Sequence, residues 1–371
     1  MSIPKTMKAV VIEGDKAVLK DNVPVPKLTG SLVLIKTKAV AGNPTDWKHI
    51  KYKIGPQGAI VGCDAAGEIV ALGPDVDKSK FAVGDTIYSI VHGSSVKHPG
   101  NGAFAEYSAL DSKLSFKADL TLSGESRIPA GVVKSFEAAA TLPVSIDTAG
   151  AILHYNFGNE LIWEPAKPQH DFPILIWGGA TGVGQMLIQI AKKINAYSKI
   201  IVVASRKHEA TLKKYGADEL FDYHDSDVVK QIKSKYPNVT YLVDAVSNKE
   251  TIQQVYRCSA DNEPVTILQL TLLSEKDIAE AERKSNVTIT GTLLYSATGE
   301  EVPFGSLTLP ANPEYRAKSI EFTKFITPKI NAGEIYHIPV KVYRGLESVP
   351  QLLDDIEFNR NSGEKLVATL N

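Results

Sequence analysis

The stretch "ILIWGGATGVGQMLIQIAKKI" (residues 174–194) opens as an apolar β-type run, breaks into glycines and continues with apolar residues at helical spacing. Strand, tight turn and helix in that order begin a βαβ unit. In "GGATGVG" the turn lets backbone N–H groups approach a pyrophosphate, while the amino terminus of the helix adds its positive dipole. Set against G-x-G-x-x-G, the run Gly179, Ala180, Thr181, Gly182, Val183, Gly184 matches except that Thr181 stands at the middle glycine. A glycine cluster alone suits close helix–strand packing equally well. The strand before it, the helix after it and a second strand arriving on schedule point to a dinucleotide.

That second strand ends "VVASRKHEA" (202–210). In NAD-binding proteins an Asp or Glu at this distance accepts from the ribose 2'-hydroxyl, whereas a 2'-phosphate requires cations. The position offers Ser205, Arg206 and Lys207, with no acid before Glu209. Charge-assisted bonds contribute about 1.5–3 kcal/mol each, enough to set a preference for NADPH of about tenfold or more. Tyr223, closing "LFDY" (220–223), adds a phenolic donor. The competing reading of Arg206 and Lys207 is a solvated helix start.

Working outward, the chain from about 148 alternates strands and helices. A strand at 173–177 and a helix at 182–196 are followed by strand "KIIVVAS" (199–205), helix "KHEATLKKYGA" (207–217), strand "ELFDY" (219–223) and a helix at 226–235. Strand "TYLVDAV" (240–246), a further helix and "PVTILQL" (264–270) complete the series. The pattern predicts an α/β fold with a doubly wound parallel sheet. Residues 1–147 instead carry short β-like runs punctuated by Gly, Pro and Asp, such as "LVLIKTKAVAG" (32–42) and "AAGEIVALG" (65–73), which predict a strongly bent sheet or partial barrel. After "VTITGTLLYS" (287–296) come a helical stretch near 313–330 and a β-rich return expected to rejoin the first domain. The expected division is therefore 1–147 with 312–371, and 148–311. "WEPAKPQHDFP" (163–173) reads as a Pro-rich surface insertion.

With 371 residues, 43% hydrophobic, and a net charge of -1, the chain buries a sizeable core and shows no Lys/Arg block interleaved with aromatics. Nucleic acid is not an expected partner. The start, "MSIPKTMKAVVIEGDK", lacks the apolar region of a signal peptide, and no apolar stretch is long enough to span a bilayer; a cytoplasmic protein without membrane association is expected. Cys63 and Cys258 supply neither a disulfide framework nor a CxxC metal site, and the sequons at Asn238 and Asn286 are expected to stay unmodified.

Seven motifs carry a resemblance over essentially the whole chain: "AVAGNPTDWKHI" (39–50), "GCDAAGEIVALGPDV" (62–76), "FAVGDTIYS" (81–89), "NGAFAEY" (101–107), "AATLPVSIDTAGAIL" (139–153), "GGATGVGQ" (178–185) and "SGEKLVATL" (362–370). Together they resemble the medium-chain dehydrogenase/reductase superfamily, in its zinc-free quinone-reductase and fungal enoyl-reductase branch, with the alcohol-dehydrogenase-like proteins of budding yeasts. The resemblance implies a GroES-like catalytic domain beside a Rossmann domain. Zinc enzymes of the superfamily carry a Cys in the first motif and a His-Glu pair in the second; here Asn43 and the pair Cys63, Asp64 stand there. That is a poor ligand set for tetrahedral zinc, so no metal is predicted.

By the same resemblance Asn43, Pro44 and Trp47 are expected over the nicotinamide and its ribose, Thr148 at the same ring, and Lys365 at the ribose or phosphate. Asn43, Lys48 and Thr148 are the catalytic candidates, with Lys48 as a cationic donor; Tyr52 and His92 are candidates for the substrate side. Asp46 is expected to organise its own turn, Asp64 to take a structural hydrogen bond, and Cys63 to be a packed residue. The implied function is zinc-independent, NADPH-dependent reduction of activated C=C bonds (enals, enones) or quinones. Alternatives are zinc-free aldehyde reduction and a non-catalytic NADPH-binding protein. An edge strand at 287–296 favours a homodimer slightly over a monomer, and no spacing singles out a proton donor.

Overall fold

The computed structural model describes residues 3–370. It divides into two compact units, one made of the chain through Asp147 together with the chain from Tyr295 onward, the other of Thr148–Leu294.

The second unit is a six-stranded parallel sheet. Its strands, His170–Trp177, Tyr197–Val203, Glu219–Phe221, Tyr241–Asp244, Val265–Gln269 and Val287–Gly291, numbered along the chain, lie in the order 3-2-1-4-5-6. That is the doubly wound order of dinucleotide-binding sheets. The interior is built from the apolar strand residues the sequence marks, among them Leu175, Ile201, Val203, Leu242 and Ile267, packed on Ile232, Ile252 and Val255 from the helices. The first strand begins at His170, inside the Pro-rich segment, where its His170 pairs with Tyr197. The helix expected over 207–217 is shorter: Arg206–His208 form a 3-10 turn, and Glu209–Tyr215 the helix proper, ended by Gly216 at φ +121°. Such a conformation favours glycine and stops the helix.

The first unit centres on the strand Leu32–Ala41, paired antiparallel with Asp64–Leu72 and with Tyr107–Asp111. The C-terminal strand Lys365–Thr369 joins the same sheet, with Val367 opposite Ala41. The return is less purely β than its sequence suggests, because Val349–Glu357 form a helix between two strands. Gly42 shows how closely that helix packs: a Cβ there would meet Leu352 Cδ2 at 2.4 Å and Ile356 Cδ1 at 2.6 Å. Gly42 thereby fixes the start of the next helix, Pro44–Lys51.

The run expected as one strand over 287–296 stops at Gly291, at the edge of the parallel sheet, and Leu294–Thr298 turn as a 3-10 helix. Unit one accordingly resumes at Tyr295 rather than at 312. The contact made there is long-range: the Tyr295 side chain is buried and its hydroxyl is bonded to Thr45. Among the described residues no helix is long and apolar enough to cross a membrane.

Candidate active site

In the second unit the glycine turn is built by close approach. Gly178 adopts φ +84°, a Cβ on Gly179 would lie 2.1 Å from Val202 Cγ1, and one on Gly184 would lie 2.3 Å from the Gly178 carbonyl oxygen. Gly184 therefore lets the helix Gly182–Lys193 start directly against the turn. Thr181 needs no glycine's freedom, since its φ is -68°; its hydroxyl instead caps that helix, accepting from the Gly184 N–H at 3.0 Å. The N–H groups of Gly182 and Val183, in the first turn, have no intrahelical acceptor, and the helix dipole there favours phosphate.

At the end of the second strand Ser205 is half-buried, while Arg206 and Lys207 are exposed. Tertiary structure adds two acids that the sequence reading missed. The Arg206 guanidinium pairs with Asp225 at 3.2 Å, and Asp222 accepts from the Arg206 N–H at 2.9 Å. Asp222 also accepts from the His224 N–H at 3.0 Å and from the His224 ring at 2.7 Å. Burial raises the pKa of Asp222, but these hydrogen bonds outweigh it and bring it down to about 2. The carboxylate thus ties down the backbone that presents Arg206. Tyr223 is exposed beside the His224 ring. Thr148 is buried in the helix Pro143–Gly150.

In the first unit the motif "NPTDW" begins the helix Pro44–Lys51, with Asn43 as its N-cap and Pro44 at the first position. Asp46 does organise this turn, accepting from the Asn43 N–H at 2.7 Å. The Asn43 side chain points the other way: its amide donates to Asp64 Oδ2 at 2.8 Å, and its carbonyl oxygen accepts from Lys365. The Lys365 ammonium also meets Asp64 Oδ2 at 2.9 Å, and Asp64 Oδ1 accepts from the Val144 N–H at 2.7 Å. Lys365 is 7% exposed and Asp64 is fully buried. The ammonium expected at a cofactor's ribose or phosphate is thus turned into the protein, where it neutralises a buried carboxylate.

Around this triad lie two more buried acids. Burial raises the pKa of Asp46 to about 7, an effect opposed by the Asn43 hydrogen bond and reinforced by the Asp64 charge. Asp147 is likewise raised by burial and then by Asp64. One ammonium cannot balance three carboxylates in a dry interior, so protons do. Lys48, half-buried, lies 5.7 Å from the Trp47 ring centroid and has its pKa lowered by burial. Tyr52, the C-cap of the same helix, is 63% exposed. His92 stacks on Tyr295 with ring centroids 3.9 Å apart, and burial is the main cause that lowers its pKa to about 3. Tyr295 is a further residue that sequence reasoning missed, since nothing local marks it.

Two family descriptions match the chain: "Alcohol dehydrogenase GroES-like domain" over residues 30–119 and "Zinc-binding dehydrogenase" over residues 182–305. The uncharacterized protein YNL134C of Saccharomyces cerevisiae is 64% identical over 372 residues, covering 100% of this chain and 99% of its own. The trans-enoyl reductase fsa3 of a Fusarium species is 32% identical over 350 residues, covering 93% of both chains. The chain belongs to the medium-chain dehydrogenase/reductase superfamily. Its fold is also that of the quinone oxidoreductase from Coxiella burnetii, at a TM-score of 0.68 and 22% identity, covering 99% of this chain and 100% of that one.

As an oxidoreductase of this superfamily it belongs among proteins that use nicotinamide cofactors, and the turn at 178–184 fits one: a helix start capped by Thr181, with first-turn amides that lack an intrahelical acceptor and no room for a Cβ at Gly179 or Gly184. The zinc named in the family description fits less well. Among the described residues no group of three or more His, Cys, Asp or Glu side chains is placed to hold a metal ion. The donor set explains why: Asn43 offers an amide, Lys365 sets a positive charge against Asp64, and the Cys63 thiol lies 3.5 Å from the Tyr295 hydroxyl.

Proposed function

We propose that the protein is a zinc-independent, NADPH-dependent reductase of activated C=C bonds in enals and enones, or of quinones. The observation that carries this reading is the Asn43–Asp64–Lys365 triad, in which two residues at motif positions that zinc enzymes of the superfamily fill with Cys and Glu are bonded to a fixed ammonium rather than to a Lewis acid. Without that acid an alkoxide is hard to stabilise, and an already polarised acceptor is the easier substrate. The trans-enoyl reductase relative, matched along nearly the whole chain, supports the same class. Reduced nicotinamide supplies a hydride when bound. The residues of the chain then bind, orient and exclude water. The turn Gly179–Gly184 holds the pyrophosphate, and Ser205, Arg206, Lys207 and Tyr223 recognise the 2'-phosphate. Asn43, Pro44, Trp47 and Thr148 orient the ring, Lys365 locks Asn43, and Lys48 stabilises the developing enolate oxygen. Tyr52 and His92 line the substrate side.

The test is product analysis after incubating metal-free protein with NADPH and cinnamaldehyde, which offers both an alkene and an aldehyde. Saturated aldehyde supports the proposal. Cinnamyl alcohol moves the assignment to carbonyl reduction, and tight NADPH binding without turnover of enals, enones or quinones moves it to a binding protein.

A further inference from the structure

Within the first unit, away from every residue discussed so far, lies a surface cavity of about 350 Å³, several times the roughly 30 Å³ share of one water. Part of its lining is the segment 121–123, held by backbone bonds: the Thr121 N–H donates to the Lys134 carbonyl oxygen at 3.3 Å, and the Thr121 carbonyl oxygen accepts from the Phe136 N–H at 3.0 Å. Ile128 reaches it from the short strand Arg127–Ile128, where it lies opposite Val340. His337 joins them because its N–H donates to the Gly131 carbonyl oxygen at 2.9 Å.

His337 decides the chemistry of the cavity. It lines the space although it is only 2% exposed. Its Nδ1 lies 2.8 Å from the Ile338 carbonyl oxygen, which can only accept, so Nδ1 carries the proton. Burial lowers the pKa of His337 despite that bond, and the ring is neutral at pH 7. Nε2 is then a bare acceptor that no donor reaches among the described residues, whereas buried polar atoms are as a rule paired. The other polar groups of the lining have protons to give. Ser135 Oγ accepts from the Ala138 N–H at 3.2 Å and Ser123 Oγ from the Glu125 N–H at 3.3 Å, which leaves each hydroxyl proton for a ligand. Lys134 is exposed and has no ion pair among the described residues. No carboxylate lines the space: Glu137 is buried and turns both oxygens to the Ser123 N–H, at 3.1 and 3.0 Å. Arg127 is engaged by Glu364 at 2.7 Å, so Lys134 supplies the one cation of the lining.

We propose that this cavity binds a small hydroxy-monocarboxylate with a short alkyl body. The carboxylate meets Lys134 and the Ser123 and Ser135 hydroxyls, the alkyl part covers Leu122, Ile128 and Val132, and the ligand's own hydroxyl donates to His337 Nε2. One ammonium balances one negative charge, which favours a monocarboxylate over a phosphate dianion. The hydroxyl is required because an ionised carboxylate has no proton to offer Nε2. None of these residues belongs to the candidate active site, so the inference stands independently of the reductase reading.

The experiment titrates the full chain, labelled with ¹⁵N-histidine, with 2-hydroxy-4-methylpentanoate and separately with 4-methylpentanoate, which lacks the hydroxyl. The hydroxy acid is expected to bind with a Kd of about 1–10 mM, about fivefold more tightly than its deoxy counterpart. Only the hydroxy acid should move the His337 Nε2 resonance upfield, as an acceptor nitrogen does on gaining a donor; loss of that resonance in His337→Gln identifies it. Lys134→Met, at an exposed position where folding is not at risk, should weaken both acids by about three- to fivefold. A hydroxy acid that does not saturate the protein at about ten times the expected Kd overturns the proposal. So does one that binds no more tightly than 4-methylpentanoate or leaves Nε2 unmoved, in which case water alone fills the cavity or the acid binds elsewhere. Inorganic phosphate binding more tightly than the hydroxy acid overturns the assignment of a monocarboxylate.

Discussion

Replacing Asp46 by asparagine removes a buried titrating group while keeping the oxygen that accepts from the Asn43 N–H. The folded pKa of Asp46 is about 7, against an ordinary value of 3.8. Between those two values the folded protein holds a proton that the unfolded chain has released. Stability from this group is therefore intact below the unfolded pKa and is lost as pH rises toward 7, where the full cost of a buried carboxylate is reached. A shift of roughly three units corresponds to about 4 kcal/mol. Asparagine does not titrate, so the stability of Asp46→Asn relative to wild type should climb by up to about 4 kcal/mol between pH 4 and pH 8. Urea unfolding of both proteins at several pH values, followed by tryptophan fluorescence with Trp47 reporting on the helix that carries Asp46, measures this difference directly. Any fixed cost of the amide shifts the whole comparison and leaves the slope intact. A difference that stays constant across that range refutes the reasoning, because Asp46 would then be ionised in the folded state throughout, as it is in the unfolded chain.

Two further outcomes follow from named contacts. Arg206→Ala combined with Lys207→Ala should weaken NADPH binding by about 100-fold or more, since each of the two charge-assisted bonds is worth about 1.5–3 kcal/mol, while NADH affinity, measured by the same fluorescence titration, stays nearly unchanged. Loss of NADPH and NADH binding in equal measure would remove the 2'-phosphate from their role. Lys365→Met leaves Asp64 buried beside Asn43 without its counter-charge and should cost about 3–5 kcal/mol. Adding Asp64→Asn should recover much of that loss in denaturant melts, and no recovery would mean that the lysine stem, rather than the charge, stabilises this corner.

The sequence by itself determined the elements and their class. The strand, turn and helix of 174–194 were legible because periodicity and glycine both act within a few residues, and the alternation after 148 imposes a parallel sheet on any chain that must bury both its faces. Asp46 was likewise readable as a turn former, since it acts on a neighbour three residues away. Only the tertiary structure decided where the charges go. Lys365 meets Asn43 across 322 positions of sequence, and Tyr295 meets Thr45 across 250. No local pattern encodes such pairs, because a buried polar group is satisfied by whichever partner the packing of distant strands delivers. The same holds for Asp222 and Asp225, whose carboxylates reach Arg206 only once the third strand lies beside the second. Desolvation, which turns Asp46 from an ordinary carboxylate into one that holds its proton near neutrality, exists only after the fold has closed around it.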